Sequence, residues 1–179
     1  MPLTLTSANS AHQWRSRRAL PSAPGMFYAA KQILPNLWIG SEGDSRNPSF
    51  FTRHNIRLVV NASKNIPFRP PNADVRTYRV PVDDHPSENE VMLSHFPVVV
   101  LAIDDALAYG QGVLVHCRAG MQRSAAVVAA YVMWKRGWTA NRTLEFINRK
   151  KNETFWPVPT FEAALRAWET QLRAVGRVV

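Results

Sequence analysis

A chain of 179 residues is long enough for one core of ordinary size and too short for two comfortable domains, which excludes large multidomain machines. Its 46% hydrophobic and 10% aromatic content can offset chain entropy, so a wholly disordered chain is excluded as well. The single cysteine, Cys117, rules out an internal disulfide framework and multi-cysteine zinc fingers and favours a reducing compartment, while 22 Lys and Arg against 13 Asp and Glu leave a charge of +9 that suits nucleic acid, acidic membrane or phosphorylated substrates.

Residues 1–26 carry no acidic residue and include Arg15, Arg17 and Arg18. They read as a basic, loosely ordered arm, either a solvated tail or a docking element for an acidic partner or nucleic acid, with self-association and nuclear import as further uses. The ordered domain is expected over residues 27–179. The N-terminus of the chain shows no apolar stretch of the secretory kind, and no run reaches the roughly 18 apolar residues of a membrane helix. An intracellular, cytoplasmic protein without a membrane span is therefore expected.

Residues 32–40 (QILPNLWIG) supply the first strand, followed by Ile56–Asn61, residues 75–82 and Gly112–His116. The last is almost continuously apolar, as in a strand buried on both faces. Ahead of it, Phe96, Val99, Val100, Ile103 and Leu107 recur at helical spacing, with Ser94 as the N-cap, Pro97 in the first turn and Asp104 and Asp105 near the solvated side. After residue 123 the chain reads as helical: 125–136 stopped by Gly137, then 139–150, then 160 to about 175 with Phe161, Leu165, Trp168 and Leu172 inward. Arg149, Lys150 and Lys151 read as a basic helix end. The glycosylation-type triplets at Asn61, Asn141 and Asn152 read as capping or turn chemistry. Strands followed by crossover helices predict an α/β fold, a small, mostly parallel central sheet flanked by helices.

The chemistry concentrates in residues 113–125 (VLVHCRAGMQRSA). A buried strand ends at the only cysteine and a helix begins near Arg123. In open α/β sheets ligands bind beyond the carboxyl ends of the strands, and unpaired N–H groups at a helix start attract anions. Five residues between Cys117 and Arg123 suffice to curl the backbone into a ring of amides converging on one oxyanion, with Gly120 supplying the backbone freedom. Those amides and the Arg123 guanidinium favour the thiolate, which is the nucleophilic form. The planar fork of Arg123 grips two phosphate oxygens and holds phosphorus towards sulfur.

Expelling a serine or threonine oxygen requires an acid. Residues 79–85 (RVPVDDH) place two carboxylates, Asp83 and Asp84, at the end of a predicted strand, and one of them is the candidate acid and later the base that activates water. Ser124 is placed to donate a hydrogen bond to the departing thiolate. No His, Asp or Glu spacing suggests a metal, and neither metal nor cofactor is expected.

These residues resemble the cysteine-dependent phosphatase family, whose signature loop is His-Cys-x5-Arg-Ser/Thr, and more closely its dual-specificity protein phosphatase branch. Residues 33–40, 59–63, 80–85, 130–133 and 157–165 resemble further segments of that branch, so the likeness spans roughly residues 32–173. It implies Cys117 as nucleophile, Arg118, Ala119, Gly120, Met121, Gln122 and Arg123 as the phosphate cradle, Arg123 also as clamp, and Ser124 as thiolate partner. In that branch the acidic Asp falls three residues after a Pro at the end of the preceding strand, and from Pro81 the resemblance implies Asp84 rather than Asp83 as the acid. His116 is implied as a supporting residue held in the structure, with a satisfied core histidine as the alternative.

Two positions depart from the branch: Gln122 stands where a small residue is usual, with Met121 adding bulk at the rim, and residues 156–161 (WPVPTF) lack the usual Asn after the first Pro. The implied activity is metal-independent hydrolysis of phosphotyrosine and phosphoserine or phosphothreonine in protein substrates through a cysteinyl phosphate. Hydrolysis of an RNA 5′ phosphate or an inositol lipid, phosphate binding without hydrolysis, and a merely buried Cys117 stand as alternatives.

Overall fold

The structure, a computed structural model, describes residues 30–178; the expected arm over residues 1–26 and its boundary near residue 27 lie outside the described residues. Five strands form one sheet: β1 (Lys31–Leu34), β2 (Leu37–Gly40), β3 (Ile56–Asn61), β4 (Arg76–Arg79) and β5 (Gly112–His116). Their order is β1-β2-β5-β3-β4, with β1 and β2 antiparallel and every other pairing parallel. This is the expected small, mostly parallel sheet. All five residues of β5 are buried, as its continuous apolar run requires of a central strand.

The segment expected as one strand over 32–40 is a hairpin. Proline cannot donate to a ladder, and Asn36 takes a left-handed φ of 59° that Asn tolerates, so the chain reverses between β1 and β2. A short helix that the periodicity did not reveal, α1 (Pro48–Arg53), follows; the side chain of Asn47 caps it by accepting from Phe50 N–H at 3.2 Å.

The next helix, α2 (Asn89–Ala108), is longer than expected. It begins five residues ahead of Ser94, which is no cap: its hydroxyl donates to the Val91 carbonyl at 2.7 Å. Pro97 lies inside the helix rather than in its first turn. A proline there removes a bond to the preceding turn at about 3 kcal/mol, and the inward stripe of Met92, Phe96, Val99, Val100, Ile103 and Ala106, all buried, offsets it. Among the described residues, one 18-residue window within Pro86–Ala108 is apolar enough to cross a membrane by length and composition, with a mean hydropathy of 1.7, though Ser94, His95, Asp104 and Asp105 interrupt any continuous apolar run. In this fold one face of that helix is core.

Three helices follow: α3 (Gln122–Arg136), α4 (Ala140–Lys150) and α5 (Glu162–Ala174). Gly137 ends α3 in the left-handed region at φ 64°, and the Thr139 side chain caps α4. Every residue from 124 to 133 is buried, and alanines at 125, 126, 129 and 130 let neighbours approach α3 closely. Phe161, Leu165, Trp168 and Leu172 face inward as the spacing predicts, with the Trp168 indole donating to the Ala130 carbonyl at 3.1 Å. Alternation along β5 divides the core. Val113 and Val115 join α2, α3, α4 and α5 in the larger cluster, while Leu114 packs with Phe51, Ile56, Val59 and Val75 on the opposite face. Asn61 is fully buried and donates to the Ile66 carbonyl at 2.8 Å, in keeping with turn chemistry at that triplet.

The seam between β5 and its neighbours leaves no room at Gly112, where an added Cβ falls 2.1 Å from the His54 carbonyl oxygen and 3.1 Å from that of Asn55. Gly112→Ala is expected to destabilise the fold by about 2 kcal/mol or more, because overpacking against backbone exceeds the roughly 0.4–1 kcal/mol that alanine gains through the unfolded chain. Urea unfolding checks this, and an unchanged midpoint contradicts it.

Candidate active site

Beyond His116 the chain leaves the centre of the sheet and must turn before α3 begins at Gln122. Gly120 makes the turn at φ +70°, and a Cβ there falls 2.6 Å from the Gly40 carbonyl oxygen and 3.0 Å from Ser41 N. Only glycine fits both constraints. The loop is also tied to the residues after β2, since Glu42 N–H donates to the Arg118 carbonyl at 3.2 Å. Asp44 holds that neighbouring segment by accepting from Ser41 N–H and the Ser41 hydroxyl, both at 2.8 Å.

Cys117 is buried at the floor of this loop, its Sγ 3.3 Å from Ser124 Oγ. The Ser124 hydroxyl is also within 3.1 Å of the Met121 carbonyl, and Cys117 Sγ is 4.0 Å from the same oxygen. Arg123 has a largely buried side chain whose Nε finds no hydrogen-bond partner in the fold. A buried guanidinium N–H left open is costly unless an anion completes it. Asp84 Oδ2 lies 3.8 Å from that Nε, outside hydrogen-bond range and close enough to face the same volume. Arg118 is exposed, whereas Ala119 and Met121 are half-buried.

Asp83 is placed differently. Its Oδ2 lies 3.1 Å from Lys64 Nζ, which also donates to Glu88 at 2.5 Å, and these two carboxylates hold the Lys64 ammonium above the ordinary lysine value, Glu88 having the larger effect. Arg79, at the end of β4, donates to the carbonyls of Ser63, Lys64 and Ile66. Lys64 and Arg79 thus fasten the two segments that flank Asp84. Sequence reading missed both; the only signal was the position of Arg79 just ahead of Pro81.

His116 is buried beside Cys117 with Nδ1 unpartnered. Burial pushes its pKa down to about 4; a hydrogen bond with the Cys117 backbone and the charges of Glu42 and Asp44 oppose the shift, and Arg79 reinforces it. Lys151 also departs from a plain basic helix end: it is half-buried, and burial lowers its pKa against the opposing influence of Cys117 and Asp44.

The bulk of Gln122 does not fall at the rim. Its side chain is buried against the loop before α5, donating to the carbonyls of Trp156 at 3.0 Å and Val158 at 2.9 Å and accepting from Thr160 N–H at 3.0 Å. The two departures noted in the sequence therefore meet: the loop that lacks its Asn is held by an amide carried on residue 122. Among the described residues no group of three or more His, Cys, Asp and Glu is arranged to hold a metal.

A strand-to-helix loop carrying Cys117, Arg123 and Ser124, with an aspartate from a neighbouring loop, defines a class of cysteine-dependent phosphatase folds. The family model described as "Dual specificity phosphatase, catalytic domain" matches residues 37–171, and the chain belongs to the dual specificity phosphatase family. Human dual specificity protein phosphatase 9 is 38% identical over 147 residues, which cover 82% of this chain and 38% of that protein. Arabidopsis thaliana dual specificity protein phosphatase 1B is 31% identical over 142 residues, covering 79% of this chain and 83% of that one. The chain spans about a third of the length of the first curated relatives it matches, 38% and 29% for the human phosphatases 9 and 7. Among solved structures, a mouse protein in complex with zinc tungstate superposes with a TM-score of 0.77 at 31% identity over 91% of this chain and 98% of that one. Human DUSP28 gives 0.73 at 30% identity, covering 80% and 95%.

His116 generates a pH prediction with a definite sign. It is neutral when folded and takes up a proton when unfolded below about 6.5, so stability is full above that pH and falls as pH drops towards about 4. The expected loss is about 3 kcal/mol. Urea midpoints measured between pH 6.5 and 4 should fall less steeply for His116→Asn than for the native chain. Parallel slopes refute the assignment.

Proposed function

We propose that this chain is a metal-independent phosphoprotein phosphatase acting on phosphotyrosine and on phosphoserine or phosphothreonine through a cysteinyl-phosphate intermediate. One observation carries the reading: Cys117 Sγ lies 3.3 Å from Ser124 Oγ, and the adjacent Arg123 has a buried Nε that lacks a hydrogen-bond partner and has Asp84 3.8 Å away. The backbone amides of residues 118–123 and the Arg123 guanidinium take the phosphoryl oxygens, which leaves phosphorus facing sulfur. The mouse relative forms a complex with zinc tungstate, and tungstate shares the tetrahedral shape of phosphate, which supports a fold of this kind binding a tetrahedral oxyanion.

In the first step the Cys117 thiolate forms an S–P bond as the ester P–O bond breaks, and the Asp84 carboxyl gives its proton to the leaving oxygen. In the second, the Asp84 carboxylate takes a proton from water while the water oxygen attacks phosphorus. The S–P bond breaks, inorganic phosphate leaves, and the Ser124 hydroxyl donates to the restored thiolate. Lys64 keeps Asp83 turned to itself and so leaves Asp84 to the cradle. His116 is a positioning residue beneath the cysteine. Arg118 is the one basic side chain between Cys117 and Arg123, which favours phosphoprotein over RNA or inositol-lipid substrates. A reducing, cytoplasmic setting suits a lone thiolate nucleophile, and the basic arm of residues 1–26 is proposed to dock an acidic partner or nucleic acid.

Asp84→Ala should lower the rate by about 10² to 10⁴, with a greater loss for alkyl than for aryl phosphates, as expected of a general acid; Asp83→Ala should cost far less. Equal losses for the two variants, read from steady-state rates on an aryl and an alkyl phosphate, undo the assignment. Mass spectrometry of protein quenched during turnover should find phosphate on Cys117, and a chain that hydrolyses substrate without ever carrying phosphorus there overturns the mechanism.

A further inference from the structure

The residues between α4 and α5 form a wall that joins two parts of the site. On one side Gln122, adjacent in sequence to Arg123, holds the carbonyls of Trp156 and Val158 and the N–H of Thr160. On the other side Asn89, which opens α2 five residues after Asp84, donates to the Thr160 carbonyl at 3.2 Å and accepts from Ala164 N–H at 2.8 Å. The loop is therefore fastened both to the cradle and to the helix that follows the acid segment. Pro157 and Pro159 fix φ at alternate positions and stiffen it further.

Two large apolar side chains stand on this wall in solvent, Trp156 68% and Val158 67% exposed. A single exposed hydrophobe is ordinary on a protein surface. Here two of them stand on a stiffened loop whose backbone is hydrogen-bonded to the residue beside the phosphate-gripping arginine. Consecutive Cα atoms lie about 3.8 Å apart and an extended peptide advances about 3.3 Å per residue, so the neighbours of a phosphorylated residue seated on Arg123 fall over residues this close to Gln122. Tryptophan is also the side chain most enriched among residues that dominate binding interfaces, and a loop already held in place loses little freedom when it binds.

We propose that Trp156 and Val158 form an apolar rim of the phosphate pocket that binds a large aliphatic or aromatic side chain next to the phosphorylated residue, making the site selective for phosphopeptides with apolar neighbours. This rests on the reading of Cys117 to Arg123 as a phosphate pocket. It assigns the loop a substrate contact, and it assigns Gln122 the role of positioning residue for that loop.

The test is a binding measurement on the Cys117→Ser protein, which separates recognition from turnover. Two phosphotyrosine peptides, identical except for leucine or glycine on both sides of the phosphotyrosine, are titrated by calorimetry. The leucine peptide is expected to bind about tenfold more tightly, the worth of burying one aliphatic side chain. With Trp156→Ser and Val158→Ser added, the ratio should fall to within about twofold of unity, whereas Trp156→Phe should keep most of the preference. Because the comparison is a ratio within one protein, a general weakening cancels. Equal affinities in the Cys117→Ser protein, a preference for acidic neighbours, or a leucine preference that survives the double substitution each overturn the rim. Native-chain turnover of the same peptides tests the reaction separately: absence of hydrolysis alongside an intact, loop-dependent preference refutes the phosphatase reading and supports the rim.

Discussion

The approach of Gly120 to the backbone of Gly40 and Ser41 is the contact on which this end of the sheet depends. An added Cβ has no space there, since it falls 2.6 Å from a carbonyl oxygen, and the φ of +70° excludes most side chains independently. With that contact in place, the chain leaving β5 curls beside β2 and enters α3 over the cysteine. Without it the loop must lift away from the sheet, and the distances among Cys117, Ser124 and Arg123 are no longer set by the fold. The buried strand contributes rigidity and the helix contributes its unpaired amides, but the glycine contact decides how the loop joins them.

The surroundings of the cradle show a division of labour between neighbouring charges. Asp83 and Asp84 are adjacent in sequence, yet one pairs with Lys64 and the other faces Arg123. Lys64 also holds Glu88, and Arg79 gathers three carbonyls from the segment that carries Lys64. These exposed ion pairs add little to stability individually. Their effect is directional, because they determine which of two equivalent carboxylates is available to the pocket.

What sequence reading could recover follows from how local each signal is. The buried strand before Cys117, the glycine stop at residue 137 and the inward stripe of Phe161, Leu165, Trp168 and Leu172 all lie within a few turns of chain, where periodicity and caps are informative. The hairpin at Pro35 and Asn36 and the helix capped by Asn47 left turn signals in the sequence, but the elements were too short for periodicity to register. The start of α2 was misread because Ser94 is a good cap by type, while the buried Met92 and the bonds of Asn89 to Thr160 and Ala164 extend the helix ahead of it. The residues that order the site's edges, Lys64, Arg79 and Gln122, act through partners 13 to 38 positions away. No window along the chain contains both ends of such a bond.

Gln122 contributes its backbone to the loop that surrounds Cys117 and its side chain to the loop before α5. The loop around Cys117 and the loop before α5 are therefore not interchangeable modules in this chain. Transplanting the segment around Trp156 from another family member would strand the amide at position 122 in the interior, and replacing residue 122 alone would untether the transplanted segment. Redesign of this surface, and natural divergence of it, must proceed by paired changes at two places far apart in sequence.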